Sequence, residues 1–336
     1  MTRRLLSQAE VSAPFATVQL PAVPGMIDEY LTVCATLAAK IGGELSQEER
    51  GRIGRRLTRR LAEAHAASSH SALNVVLVAG RGQPVRCQIT AHRRTMERSY
   101  AGWLTTRNPV MFGEHPDARV WALAEQAADP GAYPVLDIGA GTGRNALPLA
   151  RRGHPVDVVE STEKFADVIR VGAQQQFLDV RVIAGDVFAN VDQLRRDYQL
   201  IVLSEVVSDF GTTQQLRGLF ELADRCLAAD ARLVFNVFLV RPGYQLDDAA
   251  REFGKHFHTS FFSRDEICAA AAGLPLELVA DDAVYDYEKA HLPDDAWPPT
   301  GWYVDWVKGL NPFVVEDGDG PVEMRWLVYR KAGSDR

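Results

Sequence analysis

Apolar residues in the central part of the chain fall in short unbroken runs, separated by segments where they recur every three or four positions. The runs VLDI at 135–138, VDVVE at 156–160, VRVIA at 180–184, YQLIVL at 198–203 and RLVFNVF at 232–238 have the length of buried parallel strands. Between them, 146–150, 162–174 and 216–227 carry helical spacing. Strand and helix in alternation predict a doubly wound, Rossmann-like α/β sheet, and further strands at 276–284 and 322–329 bring it to seven.

The N-terminal third has a different pattern. Pro14, Pro21 and Pro24 predict an irregular arm over residues 1 to about 25. A helical stripe follows at 27–40, and Ser46 with Glu49 forms a capping box that opens a second helix running toward His65. That helix carries Arg50, Arg52, Arg55, Arg56, Arg59 and Arg60, a pattern best met by a solvated face. Two strands at 73–78 and 85–90 flank Gly80-Arg81-Gly82 and predict a β-hairpin. The expected organisation is a helical and β-hairpin extension over 1–112, serving as cap or dimerisation region, and an α/β core over 113–336. The core has insertions at 240–262 and 285–320, the latter rich in aromatic residues and in prolines that exclude a long regular element. Ser263 and Glu266 form a capping box between them.

The chemistry is concentrated where the first core strand ends. Gly139, Gly141 and Gly143 follow 135–138 at once, so a ligand can approach bare backbone there. A dinucleotide fingerprint has the spacing G-x-G-x-x-G; here it is G-x-G-x-G, and Arg144 stands where the last glycine belongs. Asp137 would add negative charge beside a pyrophosphate, whereas it suits a cofactor with an ammonium group and a sulfonium. Glu160 ends the second strand, where a carboxylate can accept both hydroxyls of a ribose. On Leu136-Asp137-Ile138-Gly139-Ala140-Gly141-Thr142-Gly143, the chain resembles the class I S-adenosylmethionine-dependent methyltransferases.

The resemblance covers roughly residues 113–331 at fold level and implies an antiparallel last strand. It implies S-adenosylmethionine as cofactor and S-adenosylhomocysteine as product, held by Asp137, Gly139, Gly141, Gly143, Glu160, Asp186, Val187 and Ser204. Asp186 would bind the adenine amino group and the Val187 N–H a ring nitrogen; the alternative is that Asp186 caps the next helix. Glu205, at the tip of the fourth strand, and His256 are the catalytic candidates, although Glu205 also suits a cap or structural acid. The segment before the core and the two insertions would build the acceptor cavity, with Arg98, Tyr100, Trp103, Arg107, Tyr244 and Trp302 as candidates.

Methyl transfer from a sulfonium needs alignment more than acid–base chemistry, so no fixed triad is expected. No Asn-Pro-Pro-Tyr motif of nucleic-acid amino-methylating enzymes occurs, which favours O-, N- or C-methylation of a small metabolite, as in secondary metabolism. An alternative is C-methylation of an isoprenoid diphosphate. Glu205 would then be the base, aromatic faces would stabilise a carbocation, and magnesium with Arg93, Arg94 and Arg98 would hold the diphosphate. A different class of reading is a noncatalytic cofactor-binding or assembly module.

Composition narrows the partners. The net charge of −7 gives no reason to expect nucleic-acid binding, and no apolar run approaches the roughly 18 residues of a membrane span. The four cysteines are scattered without metal-ligand spacing, no secretory apolar run opens the chain, and a cytoplasmic protein is expected. The N-terminal extension offers surface for a homodimer.

Overall fold

The structure, a computed structural model, describes residues 1–68, 70–80, 83–92, 113–315 and 319–333. It divides into two compact units, each with its own apolar core. The first comprises the N-terminal part of the chain together with Tyr244–Thr259 and the described residues of Leu310–Gly320, and the second comprises the remainder.

The first unit opens with α1 (Thr2–Gln8), β1 (Glu10–Ser12) and β2 (Phe15–Pro21), so the expected irregular arm is regular structure. The prolines permit this because of where they stand. Pro14 lies in the turn between β1 and β2, Pro21 ends β2, and Pro24 starts a 3-10 turn, all places where a missing N–H is tolerated. Next come α2 (Ile27–Lys40) and α3 (Gln47–Ala67). At the start of α3, Glu49 N–H donates to Ser46 Oγ at 3.2 Å and Ser46 N–H to Glu49 Oε2 at 2.8 Å, the predicted reciprocal cap. The predicted hairpin forms as β3 (Ala72–Gly80) and β4 (Gln83–His92), but β2 pairs along β3 and makes it half of a four-stranded antiparallel sheet, β1-β2-β3-β4. Leu20, Tyr30, Leu37, Leu57 and Leu73 form part of its core, while all six arginines of α3 are exposed.

The second unit contains α4 (Ala118–Ala124), β5 (Val135–Ile138), α5 (Ala146–Arg151), β6 (Val156–Glu160), α6 (Glu163–Gln175), β7 (Val180–Ala184), β8 (Tyr198–Leu203), α7 (Thr213–Cys226) and β9 (Leu227–Val240). The chain then enters the first unit for α8 (Asp248–Lys255), whose Phe253 is buried in that core. It continues in the second with β10 (Phe261–Phe262), α9 (Arg264–Ala271), β11 (Leu276–Ala283), α10 (Val284–His291), α11 (Tyr303–Val307) and β12 (Val322–Lys331). The second sheet runs β11-β12-β9-β8-β5-β6-β7. The two-residue β10 beside β9 makes eight strands where seven were expected. From β9 to β7 neighbours are parallel, and β12 is antiparallel to both β9 and β11. The apolar runs of β5 and β6 are buried throughout, as strands covered on both faces must be. Sequence order reverses on the two sides of β5, so a crevice is expected between the carboxyl ends of β5 and β8.

Candidate cofactor and catalytic site

The turn after β5 is tight. Gly139 has φ +67°, and a Cβ there would lie 2.5 Å from Val206 Cγ2, so the position excludes a side chain on both conformational and steric grounds. Gly141 N–H donates to Glu160 Oε2 at 2.9 Å and Thr162 N–H to Glu160 Oε1 at 2.7 Å. Glu160 thereby ties the glycine turn to the tip of β6. Burial raises its pKa, opposed by those backbone donors.

Asp137 is fully enclosed, and its Oδ2 has no hydrogen-bond partner. Burial pushes its carboxyl up to about 8, with Asp117 and Glu160 adding to the effect and Arg144 and the Ala146 N–H at the start of α5 working against it. A buried carboxylate with an orphaned oxygen, among other acids, is a site short of positive charge.

At the tip of β7, Asp186 Oδ1 accepts from Phe188 N–H at 2.7 Å and Ala189 N–H at 3.2 Å. Asp186 thus closes the turn after β7 and caps no helix, since the next helical turn starts at Val191 with Asn190 at its N-cap. Val187 beside it is buried in the core.

The tip of β8 holds a network. Glu205 has φ +63°, an uncommon conformation for a side chain of this size, and its N–H donates to Asn236 Oδ1 at 2.6 Å. Its Oε1 accepts from Arg144 Nη2 at 2.7 Å, and the same nitrogen reaches Ser204 Oγ at 3.3 Å. Arg144 Nη1 donates to Asp117 Oδ1 at 2.6 Å, and Asn145 Nδ2 donates to Asp117 Oδ2 at 2.8 Å. Burial pushes the Glu205 carboxyl up to about 7 despite Arg144. For Arg144 burial opposes the charge, but Asp117 and Glu205 outweigh it and raise its pKa.

A further acid supports this network. Glu288, on α10, is fully buried and accepts from Ala118 N–H at 2.7 Å, Arg119 N–H at 3.2 Å and Trp326 Nε1 at 2.8 Å. It caps α4, whose own N-cap residue, Asp117, makes no side-chain cap. The buried hydroxyl of Tyr303 is raised well above its ordinary pKa by burial first, then by Glu288, Asp117 and Glu205. Trp302 lies 5.4 Å from the Trp306 ring, edge to face, and Trp306 stands likewise 5.4 Å from Phe238.

Of the predicted site residues, Asp137, the three glycines, Glu160, Asp186, Val187, Ser204 and Glu205 lie at the carboxyl tips of β5, β6, β7 and β8, and Trp302 is in the same unit. Tyr244, half exposed, and His256, just past α8, belong to the first unit. Arg93, Arg94, Arg98, Tyr100, Trp103 and Arg107 lie outside the described residues. Among the described residues no three His, Cys, Asp or Glu side chains gather as a metal site. Asp117, Arg144, Asn145, Asn236 and Glu288 were not expected at the site. Arg144 and Asn145 adjoin the glycine turn in sequence, but their partners Asp117 and Glu205, like Glu288, reach them only through folding.

A parallel sheet in this order, with an antiparallel β12 inserted between β9 and β11 and a glycine turn after its first strand, is the class I methyltransferase fold. Residues 135–230 match a family model described as a methyltransferase domain. Solved structures share the fold. Geranyl diphosphate C-methyltransferase from Streptomyces coelicolor A3(2), in complex with magnesium, geranyl diphosphate and S-adenosyl-L-homocysteine, gives a TM-score of 0.51 at 15% identity, covering 70% of this chain and 97% of that one. The cyclase SpnF gives 0.50 at 14%, covering 71% and 95%. No curated protein matches the chain. Neighbours as different as a C-methyltransferase and a cyclase make the function a matter for the site and not the fold.

Proposed function

We propose that this protein transfers a methyl group to a small organic metabolite, by O-, N- or C-methylation in a biosynthetic setting. The observation that carries this reading is the buried Asp137 carboxyl, whose Oδ2 has no partner, beside a bare glycine turn. A ligand with an ammonium and a sulfonium supplies the missing charge, and a dinucleotide would worsen it. When bound, S-adenosylmethionine supplies an electrophilic methyl group.

Asp137 offsets the cofactor's positive charge, and the turn at Gly139, Gly141 and Gly143 admits it against backbone. Glu160, at the tip of β6, takes the ribose hydroxyls, Asp186 and the Val187 N–H take the adenine, and Ser204 lines the tip of β8. Glu205 orients the acceptor or takes its proton, a role suited to a carboxyl whose pKa stands at about 7. His256 is a second candidate for that proton transfer, and Trp302, Tyr244, Arg98, Tyr100 and Trp103 are candidates for the acceptor side.

A second reading, C-methylation of an isoprenoid diphosphate, is favoured by the edge-to-face rings of Trp297, Tyr303, Trp302 and Trp306, since Tyr303 is close enough to Glu205 to feel its charge. It would need magnesium and cationic side chains for the diphosphate, and Arg144 is already taken by two carboxylates. Incubation with methyl-labelled cofactor and a panel of metabolites, isoprenoid diphosphates included, decides between the readings. Label in a polar metabolite supports the first, and label in a lipid-soluble product after phosphatase treatment supports the second. If no acceptor takes label although the cofactor binds, the chain is a noncatalytic module.

The same reading takes the protein to be cytosolic and gives the N-terminal region a cap or dimerisation role. Sedimentation velocity showing a monomer at micromolar concentration would remove the homodimer.

A further inference from the structure

Arg144 is enclosed, with only 7% of its side chain exposed, and serves two carboxylates at once. Asp117 is locked on the far side: its Oδ2 accepts from Asn145 Nδ2 at 2.8 Å and its N–H donates to Asn145 Oδ1 at 2.9 Å. Beyond it, Glu288 holds the first turn of α4 through the N–H groups of Ala118 and Arg119. Glu205 is locked on the near side by its left-handed backbone and by Asn236. Arg144 engages Oε1 alone; Oε2 accepts from no described residue, and 12% of the side chain reaches the surface.

A buried arginine facing a single carboxylate lowers that group's pKa by about 1–3 units and leaves it a poor base. Here the same guanidinium is divided between two acids. We propose that Arg144 and Asp117 are positioning residues, a charge-sharing clamp that aims Glu205 Oε2 at the methyl acceptor and keeps Glu205 a proton acceptor of intermediate strength. This rests on the reading of Glu205 as the group that faces the acceptor. The charged and titratable groups around Glu205 are Arg144 at the start of α5, Asp117 before α4, Asp209 in the turn after β8 and Tyr303 on α11. Asp117 and Asp209 work against the Glu205 anion and Arg144 in its favour.

The test is a carbon-13 NMR titration of protein labelled at the glutamate side-chain carboxyl, with the Glu205 signal assigned by its loss in Glu205→Gln. Asp117→Asn leaves Arg144 to Glu205 alone and should move the midpoint down by about 1 pH unit, while Arg144→Met should move it up by at least as much. Arg144→Lys, which keeps the charge, should return most of the second shift. A Glu205 midpoint that stays put in both Asp117→Asn and Arg144→Met overturns the clamp, as does a wild-type midpoint in the ordinary carboxylate range. Should Arg144→Met fail to fold, the near-isosteric Asp117→Asn still decides the matter. Calorimetry with S-adenosylmethionine on the same samples keeps the two claims apart, because loss of cofactor binding would sink the proposed function without moving the titration.

Discussion

Asp137 sits where an ionised carboxyl is least welcome, enclosed and with Oδ2 unpartnered, and burial pushes it up to about 8. A carboxyl that titrates near 3.9 unfolded and higher when folded contributes stability that is complete below the unfolded value and is lost as pH rises through the folded one. In cofactor-free protein, Asp137→Asn should therefore gain thermal stability over the wild type progressively from about pH 5 to about pH 8. A gap in melting temperature that does not change with pH would contradict the assignment. At Glu205 the expectation is kinetic: Glu205→Gln should lower turnover about 100-fold or more and leave cofactor affinity within about threefold. Near-normal turnover would remove Glu205 from the mechanism. Asp137, Gly139 and Glu160 were legible because each follows directly from a strand and the turn after it. Arg144 was visible only as a missing glycine, since its meaning depends on Asp117 and Glu205, brought to it by the fold.

The glycine turn and the tip of β8 are built against each other, with Val206 Cγ2 occupying the space a side chain at Gly139 would need. Gly139→Ala should cost about 1–3 kcal/mol through strain at positive φ and displace the segment that bears Glu205. Denaturant unfolding and calorimetry together check this, and a variant of unchanged stability and affinity would refute the steric argument. Glu288→Ala removes the cap of α4 and the partner of Trp326 Nε1 together, and is expected to cost about 3 kcal/mol, with Glu288→Gln recovering part of it. Equal stability of all three proteins would show the cap to be idle. The capping boxes at Ser46 and Ser263 and the bounds of β7 and β8 were readable because they are set by local chemistry. The fold of residues 1–25 was not, because proline frequency hides proline position: at a turn, a strand end and a helix start, proline interrupts nothing.

Across the whole molecule, contiguity was the misleading assumption. The insertion after β9 contributes α8 to the first unit, where Phe253 is fully buried, although sequence order assigns it to the core domain. Ala249, Ala250, Phe253 and Phe257 specify an amphipathic helix and nothing about which unit receives its apolar face. The doubly wound parallel core of the second sheet was recoverable, because alternating buried strands and helices admit few topologies. The acids at the strand tips are proposed to form the cofactor site, and titration calorimetry of S-adenosylmethionine against wild type, Asp137→Ala and Glu160→Gln tests that directly. One saturable site is expected in the wild type and an affinity lower by about tenfold or more in each variant, the equivalent of about 1.4 kcal/mol. No heat in the wild type, or equal affinity in all three, would contradict it.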